Sequence, residues 1–478
     1  MGDFAGSFGD KRRSVVLARL EQAMVAQSSL VVRRLGEDRA GEISAHRVLS
    51  AASVTAAGIV DCVARRTASA VAGRRIVVAQ DTTEVNFPGR SRKTLGPAGR
   101  TGVTPGFFIH AAVAIDATDE AVLGLVEATI WTRDRRAVTA RRRRSVAEKE
   151  SQRWLTVAKE TSERLARARE RIVVGDSESD IYALFARHPL DTHLVVRCCQ
   201  NRTLTDGSRL FDATQAWPVL GRQKVKVAPR GPGDVGRVAE VELRAGVVEL
   251  CHPRHGKREG APATVAVTFV EALEVAPAHG ATALHWRLMT TLPGTDEAAA
   301  ADVVRLYRLR WRIEQSFRML KSDGLKIEEA QTFDPHRLFN LAALAMGAAV
   351  RIIQLVDARD GSNRPAGDVA SDAEIAAAVA LCPTLEGKTG RQRNPHPKDG
   401  LAWLSWIVAR LGGWNCYYKP PGPKTMRQGW DRFAAIAKGF ALAKYPAKFV
   451  NPVAHRGRGA ISVIILSRTL SSSARAGA

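Results

Sequence analysis

The stretch RIVVGDSESDIYALFARHPLDTHLVVRCC (171–199) decides the fold class. It begins with an apolar, β-branched run ending at Asp176, continues through the helical pattern IYALFARH (181–188), and closes with a second strand pattern, HLVVRCC (193–199). Strand and helix patterns that alternate over so short a length predict an α/β fold with helices packed on a sheet. Asp176 then stands at a strand end, where open α/β sheets place their ligand sites.

Three further strands are predicted upstream of this stretch. RIVVAQDTTEV (75–85) carries Asp81 near its end, and FFIHAAVAID (107–116) and VLGLVEATIW (122–131) follow. Three sequential strands followed by strand–helix units predict a mixed sheet with helices on its faces. Asp81 is therefore a second strand-end acid.

The flanking segments differ in texture from the core, which is predicted to span 71–360. Residues 201–290 are rich in Gly, Pro and short apolar alternations, which predicts an antiparallel β subdomain inserted into the core. Helical patterns predict an N-terminal domain at 1–70 and a C-terminal domain at 370–445, whose Trp-containing amphipathic stretches suit packing within or between protomers. The composition of 446–478 predicts a disordered tail.

The segment YRLRWRIEQSFRMLK (307–321) is predicted to form one helix with a chemical face. At about 100° per residue, five of its side chains fall within roughly an 80° arc: these are Tyr307, Arg310, Glu314, Arg318 and Lys321. One carboxylate then lies in a row of cations with a phenol beside it. This arrangement is typical of nucleases, in which an acid holds a metal and bases hold a DNA backbone.

The composition favours a polyanionic partner. The chain has 71 Lys+Arg against 48 Asp+Glu, a formal net charge of +23, and the excess is spread along its length. Such a surface attracts nucleic acid, and a merely soluble basic protein or an anionic-membrane binder is the alternative. Lys11, Arg12 and Arg13 stand at a predicted helix start, where cations oppose the helix dipole unless they meet phosphates, so they are predicted to bind DNA rather than form a solvated face.

Other classes of site have little support in the sequence. The six cysteines show no CxxC spacing, which excludes a zinc ribbon and leaves a loose cluster of Cys251, His252 and His255 as a weaker metal candidate. The N-terminus lacks an apolar signal core, and no window is expected to supply the 18 or so apolar residues of a membrane span. A cytoplasmic protein is expected.

Three carboxylates on two strand ends and a helix can hold two Mg²⁺ or Mn²⁺ ions about 4 Å apart. Such a pair activates a water or a 3′-hydroxyl on one side of a phosphorus and stabilises the leaving oxygen on the other. Taken singly, Asp81 and Asp176 would more often be cap or turn residues. The prediction of a metal site depends on the combination of both aspartates with Glu314.

Three motifs together resemble a known family. They are DTTEV at Asp81, GDSESDIYAL around Asp176, and the helical set that contains Tyr307, Arg310, Glu314 and Lys321. They are similar to the DDE motifs and the Tyr-Arg-Glu-Lys signature of bacterial cut-and-paste transposases of the insertion-sequence-4 family. Shorter segments such as GDKRR (9–13), EKESQRWL (148–155) and IVARLGG (407–413) extend the resemblance, in order, over roughly residues 9 to 445.

The resemblance implies an RNase H-like, or retroviral-integrase-like, catalytic core. Asp81, Asp176 and Glu314 would form the catalytic triad and hold two Mg²⁺ or Mn²⁺ ions. Double-stranded DNA would be bound through Tyr307, Arg310, Arg318, Lys321, Arg197 and, in the N-terminal domain, Lys11, Arg12 and Arg13. Trp286 would stack in the space left by a flipped base when a DNA end folds into a hairpin, although it shares strand parity with Leu284 and Leu288, so a core position is the alternative.

The activity implied is cut-and-paste transposition by a homodimer that pairs two transposon ends in the bacterial cytoplasm, in association with the nucleoid. End nicking, hairpin formation, hairpin opening and transfer to target DNA would all be in-line phosphoryl transfers. The run from Arg133 to Arg144, with seven Arg, would hold DNA, or else form a solvated face. A DNA-binding regulator without activity and a nuclease that never joins strands are the alternatives; the intact acids disfavour the first, and the cation row with Trp286 disfavours the second.

Overall fold

A computed structural model of the chain describes residues 4–444 except 5, 28, 90–91, 93, 100–101, 134–149, 228–235, 255–259, 278–281 and 323. The predicted tail, His255 and all of the Arg-rich run except Arg133 lie outside the described residues. The strands are β1 Arg75–Asn86, β2 Pro97–Ala98, β3 Thr104–Asp116, β4 Val122–Trp131, β5 Glu170–Gly175, β6 His193–Arg197, β7 Gly221–Val227, β8 Arg237–Cys251, β9 Thr264–Glu274 and β10 His285–Thr290.

The α-helices surround these strands in the sequence. They are α1 Lys11–Gln27, α2 Val32–Leu35, α3 Arg39–Ser50, α4 Ala56–Ala70, α5 Gln152–Arg164, α6 Tyr182–Arg187, α7 Leu210–Ala213, α8 Glu297–Arg308, α9 Trp311–Leu320, α10 Pro335–Ala358, α11 Asp372–Leu385, α12 Leu401–Leu411 and α13 Pro423–Lys444.

All ten of these strands join in one sheet. The central order is β3-β1-β5-β6-β10-β9-β8-β7, and β2 and β4 both pair with β3. The pairs β1–β5 and β5–β6 are parallel and the other pairs are antiparallel. The prediction of a mixed α/β fold is therefore confirmed, with a sheet that is mostly antiparallel.

The antiparallel strands predicted between 201 and 290 are present as β7 to β10, and they extend the core sheet. The junction is the antiparallel pair of β10 with β6, in which Leu288 lies opposite Arg197. Backbone hydrogen bonds therefore run without interruption from β1 to β7. The strand end that carries Arg197 and the strand that carries Trp286 become neighbours through this junction.

Residues of β1 alternate between two hydrophobic clusters, one on each face of the sheet. Val77 and Ala79 belong to the larger cluster, which includes the buried side of α10. Ile76 and Val78 belong to the smaller cluster with Trp154 of α5. Successive side chains of a strand point to opposite faces, so the sheet is buried on both sides and its strands can be apolar throughout.

The helix α10 joins the terminal helices to the sheet. It packs against β4, α1, α4 and α12, and a single hydrophobic cluster contains residues from Phe4 to Phe433. Contrary to expectation, α10 is long and apolar enough to cross a membrane, but most of its apolar window is buried inside the protein. Its composition reflects a core position between two helical layers and the sheet.

The prediction of one helix over 307–321 is wrong. The helix α8 ends at Arg308 and α9 begins at Trp311. At the joint the backbone tightens, because the N–H of Arg310 donates to the carbonyl of Tyr307 at 3.0 Å and the N–H of Ile313 donates to the carbonyl of Arg310 at 3.2 Å. These i→i−3 bonds replace the i→i−4 pattern for about one turn, so Tyr307 and Glu314 lie on different helices.

We expect Leu288→Ala to lower the free energy of unfolding by about 2–5 kcal/mol, because Leu288 is fully buried at the junction of β10 with β6. The matched control is Val247→Ala on β8, whose side chain is 67% exposed, with an expected change within about 0.5 kcal/mol. Urea unfolding of both variants measures the difference. Equal losses would show that the junction contributes nothing special to stability.

Candidate functional site

The parallel pairing of β1 with β5 brings the first two acids together. Its register places Ala79 opposite Val174, and Asp81 and Asp176 each lie two residues further along the chain. The prediction that Asp81 stands at a strand end is wrong, because β1 continues to Asn86 through its pairing with β3. Asp176 is the first residue after β5, which ends at Gly175, as predicted. Side chains two residues apart on a strand share a face, so Asp81 points toward the face that α9 and α10 cover.

Arg310 joins the acid of β1 to the acid of α9. Its Nη1 donates a hydrogen bond of 2.7 Å to Oδ2 of Asp81 and lies 3.9 Å from Oε1 of Glu314. The side chains of Arg310 and Asp81 are only 16% and 14% exposed. A guanidinium in this position supplies the positive charge that buried carboxylates need. Arg310 thus lies between Asp81 and Glu314, and Asp176 is near enough to interact electrostatically with both Arg310 and Asp81.

The acid cluster and its burial both affect the pKa of Asp81. Burial raises the pKa of Asp81 to about 7, and the nearby carboxylates of Asp176 and Glu314 add to the rise. The guanidinium of Arg310 and the N–H of Thr82, which donates to Oδ1 at 2.7 Å, oppose it. The raised pKa of Asp81 therefore reflects its burial first and the repulsion from the other two acids second.

The acids have the oxygen chemistry that hard cations such as Mg²⁺ prefer. Within the described residues, however, no group of three or more His, Cys, Asp or Glu side chains is gathered closely enough to hold a metal ion. At the acid cluster, Arg310 is the countercharge. The weaker metal candidate of Cys251, His252 and His255 stays untested, because His255 lies outside the described residues. Within the described part, His252 Nδ1 lies 3.0 Å from the carbonyl of Pro253 and its ring packs against Tyr182.

A tight turn fixes the backbone around Asp176. Its Oδ1 accepts the N–H of Glu178 at 2.9 Å, and its carbonyl accepts the hydroxyl of Ser179 at 2.6 Å. A Cβ on Gly175 would stand 2.3 Å from Oγ of Ser179. Glycine before the acid therefore lets the 3₁₀ turn Ser177–Ser179 fold back onto the end of β5.

Asp180 is a structural acid that the sequence analysis did not single out. It is fully buried, forms an ion pair with Arg202 at 2.5 Å, and accepts the N–H groups of Cys199 and Gln200 at 2.9 Å each. These bonds tie the turn after β5 to the loop after β6. In the sequence, Asp180 is the last residue of GDSESD. It resembles an ordinary polar turn residue there, because its partner Arg202 is distant along the chain.

His110 is a second buried group that the sequence analysis missed. Its Nδ1 lies 2.9 Å from Oγ1 of Thr82, its Nε2 lies 3.2 Å from Oε1 of Gln80, and its ring packs edge-on against Trp154. Burial lowers the pKa of His110 well below its usual value. A neutral imidazole therefore supports the residue next to Asp81 from the opposite face of the sheet.

A cleft of about 1100 Å³ meets the acid cluster at Arg310, although Asp81, Asp176 and Glu314 are not among the residues that line it. Arg197, Trp286, Tyr307, Arg310 and Arg318 are all among the residues that line it. Tyr307 is buried, its ring meets the ring of Trp286 edge-on at 5.2 Å, and burial raises the pKa of its phenol. The structure thus brings five of the nine side chains predicted to contact DNA into one basic, aromatic cleft.

Of the nine residues predicted to contact DNA, four are not among those that line this cleft: Lys321, Lys11, Arg12 and Arg13. Lys321 follows α9 and is half-buried near Glu84 and Glu328, and burial lowers the pKa of its amine. Lys321 is therefore surrounded by carboxylates, including that of Glu314, and lies outside the cleft. The row of side chains predicted for one helix is divided between two neighbouring surfaces.

The N-terminal cations begin α1, as predicted. Lys11 and Arg12 are exposed, and Arg12 pairs with Asp10 at 3.3 Å. Arg13 instead donates to the carbonyl of Phe8 at 3.0 Å and to the hydroxyl of Ser53 at 2.6 Å. Its guanidinium thus holds the N-terminal segment against the loop before α4, and its predicted contact with DNA stays a prediction.

The position of Trp286 is compatible with both of its predicted roles, packing in the core and stacking on a flipped base. It is partly buried and packs against the larger hydrophobic cluster, whereas its strand neighbours Leu284 and Leu288 are fully or almost fully buried. Its ring contacts Tyr307 and lines the cleft. An aromatic ring with one face on the core and another on a basic cleft can both pack and stack.

The comparison with known protein families fits this geometry. Residues 132–351 match the transposase DDE domain. The match contains Asp176, Glu314 and the cleft residues from Arg197 to Arg318, and it begins after Asp81. It covers somewhat less than half of the chain, and it supports a DDE transposase, an enzyme that cuts DNA and transfers its strands.

Proposed function

We propose that this protein is a cut-and-paste DNA transposase of the insertion-sequence-4 family, with an RNase H-like core and with Asp81, Asp176 and Glu314 as its catalytic triad. The observation that carries the proposal is the convergence of these three acids around Arg310 at the edge of a basic, aromatic cleft. The match to the transposase DDE domain supports it independently.

The three carboxylates are the proposed ligands of two Mg²⁺ or Mn²⁺ ions. When bound, such ions activate a water or a 3′-hydroxyl and stabilise the leaving oxygen. The oxygen donors and the raised pKa of Asp81 fit a divalent cation. For the acids to accept it, Arg310 has to leave Asp81, and a DNA phosphate in the cleft is the anion that can receive its guanidinium.

The cleft is the proposed path of the DNA end. Arg197 and Arg318 are exposed cations at its wall, where they can bind phosphates, and Trp286 offers a ring on which a flipped base can stack. The exposed Lys11 and Arg12 are proposed to bind the transposon end. The helices at 370–445 are proposed to pair two protomers, each holding one end.

The direct test of this function is to incubate the protein with linear DNA that carries the inverted repeats flanking its gene, with Mg²⁺. A transposase nicks the end, forms a hairpin and joins the 3′-end to target DNA, and a native gel shows complexes that hold two ends. Nicking without joining would indicate the alternative nuclease, and binding without nicking would indicate the regulator.

We expect Asp81→Asn, Asp176→Asn and Glu314→Gln each to abolish nicking while leaving binding of the end DNA nearly unchanged, because the acids hold cations and only repel phosphates. The control is Glu163→Gln, whose side chain is 58% exposed on α5 and is not among the residues that line the cleft, which should nick normally. Gel assays of nicking and filter binding provide the measurement. Wild-type nicking by any one triad variant would refute the assignment of that acid.

The raised pKa of Asp81 predicts a pH dependence of cation binding. Below pH 7 the carboxyl is mostly protonated and must release its proton to bind a cation, so the affinity for Mn²⁺ should fall roughly tenfold between about pH 8 and pH 6. Electron paramagnetic resonance of free Mn²⁺ measures this in the protein without DNA. Asp81→Asn, which has no proton to release there, should bind weakly and with a flat profile; a flat wild-type profile would contradict the prediction.

Trp286→Ala distinguishes stacking from core packing. If the ring stacks on a flipped base, the variant should fold and nick but form hairpins poorly, because base stacking is worth on the order of 1–3 kcal/mol. The control is Trp430→Ala, whose ring is fully buried among the C-terminal helices and whose removal should cost about 3–5 kcal/mol of stability. A lower melting temperature with an unchanged ratio of nicks to hairpins would assign Trp286 to the core.

A further inference from the structure

Arg153, the second residue of α5, contacts both of the chain segments that carry the proposed catalytic aspartates, strand β1 and the turn after β5. Its Nε donates to Oγ1 of Thr82 at 3.1 Å, its Nη2 donates to Oε2 of Glu178 at 2.8 Å, and its Nη1 donates to the carbonyl of Glu150 at 2.7 Å. One guanidinium therefore bonds to the residue after Asp81 and to a residue of the turn after β5.

Each of these two partners bonds in turn to one aspartate. The N–H of Thr82 donates to Oδ1 of Asp81 at 2.7 Å, and the N–H of Glu178 donates to Oδ1 of Asp176 at 2.9 Å. A continuous chain of contacts thus connects the two carboxylates, and Arg153 is its middle member. The guanidinium spans two backbone segments that the ladder of β1 and β5 no longer joins at this point, since their registered pairs end at Ala79 and Val174.

The surroundings of Arg153 keep its guanidinium in place. Only 12% of the side chain is exposed, and the guanidinium carbon lies 5.3 Å from the ring centre of Trp154 and 5.6 Å from that of Trp131. A cation held between aromatic rings and hydrogen-bonded at all three nitrogens has few alternative rotamers. The position of the Arg153 guanidinium can therefore set the distance between strand β1 near Asp81 and the turn after Asp176.

We propose that Arg153 is a positioning residue that fixes the separation of Asp81 and Asp176 and so sets the affinity of the site for divalent cations. The inference rests on the proposed function of these acids as cation ligands. Arg153 touches neither carboxylate and acts through Thr82 and Glu178. Groups that orient metal ligands in this way typically change metal affinity about 10–100-fold when they are removed.

The positions of its two partners also explain why an arginine is needed at residue 153. Its two partners accept from different nitrogens of one planar group, Nε for Thr82 and Nη2 for Glu178. A lysine has a single nitrogen at the end of a flexible stem and cannot hold both partners in a fixed plane. Arg153→Lys should therefore restore little of the cation affinity that Arg153→Gln loses, although it keeps the charge.

The experiment measures Mn²⁺ binding to the full-length protein without DNA, together with the melting temperature and the dissociation constant for end DNA. Arg153→Gln is expected to weaken Mn²⁺ binding about tenfold or more while it leaves end binding within about twofold, since Arg153 is not among the residues that line the cleft. Glu178→Gln, whose side chain is 63% exposed, should weaken it in the same direction without loss of folding. The double variant should be no weaker than Arg153→Gln alone, because both changes break one connection.

The matched control is Arg164→Gln at the other end of α5. Arg164 is also mostly buried and pairs with Asp61, Glu127 and Glu160. These partners belong to α4, β4 and α5, and not to the segments that carry Asp81 and Asp176. It should lower the melting temperature without changing Mn²⁺ affinity. An Arg153→Gln protein that binds Mn²⁺ like the wild type, or an Arg164→Gln protein that loses affinity equally, would overturn the inference. A wild-type protein that binds no Mn²⁺ would overturn the proposed metal site as well.

Discussion

The parallel pairing of β1 with β5 is the constraint on which the candidate site depends. Its hydrogen bonds hold two strands side by side up to Ala79 and Val174, and the chain then delivers Asp81 and Asp176 to the same edge of the sheet. Two carboxylates in a half-buried place repel each other and lose water. The sheet can hold the two carboxylates together because its backbone hydrogen bonds and the apolar packing on its two faces stabilise the fold more than the local repulsion destabilises it.

Arginine side chains offset the cost of placing acids in this region, and each arginine binds a different partner. Arg310 bonds directly to Asp81, Arg153 bonds to the neighbours of the aspartates, and Arg202 neutralises the buried Asp180. Buried charges are stable only when they are paired and hydrogen-bonded. Some of the arginines of this chain are therefore internal and structural. Because each of these three is paired with an acid, the net charge of +23 falls on the other residues.

The continuation of the sheet through β10 gives the acids their surroundings. Because β10 pairs with β6, Trp286 and Arg197 come from adjacent strands, and Tyr307 at the end of α8 closes against the Trp286 ring. The break between α8 and α9 then turns Arg310 toward Asp81 and leaves Arg318 exposed at the cleft. One sheet and one helical joint thus place cations and aromatic rings beside the acids.

The sequence by itself determined the local features: the apolar strand that contains Asp81, the apolar strand that ends just before Asp176, the antiparallel strands after residue 201, and the motifs that mark the three acids. These follow from short periodicities and from residue types that neighbours in the chain can specify. Only the tertiary structure decided the partners of the buried charges, since Arg310 and Asp81 are 229 residues apart, and Arg153 and Thr82 are 71 apart. It also decided that the helix predicted over 307–321 breaks and that the apolar α10 is a core helix, because both depend on what packs against them, and periodicity carries no information about contacts between distant segments.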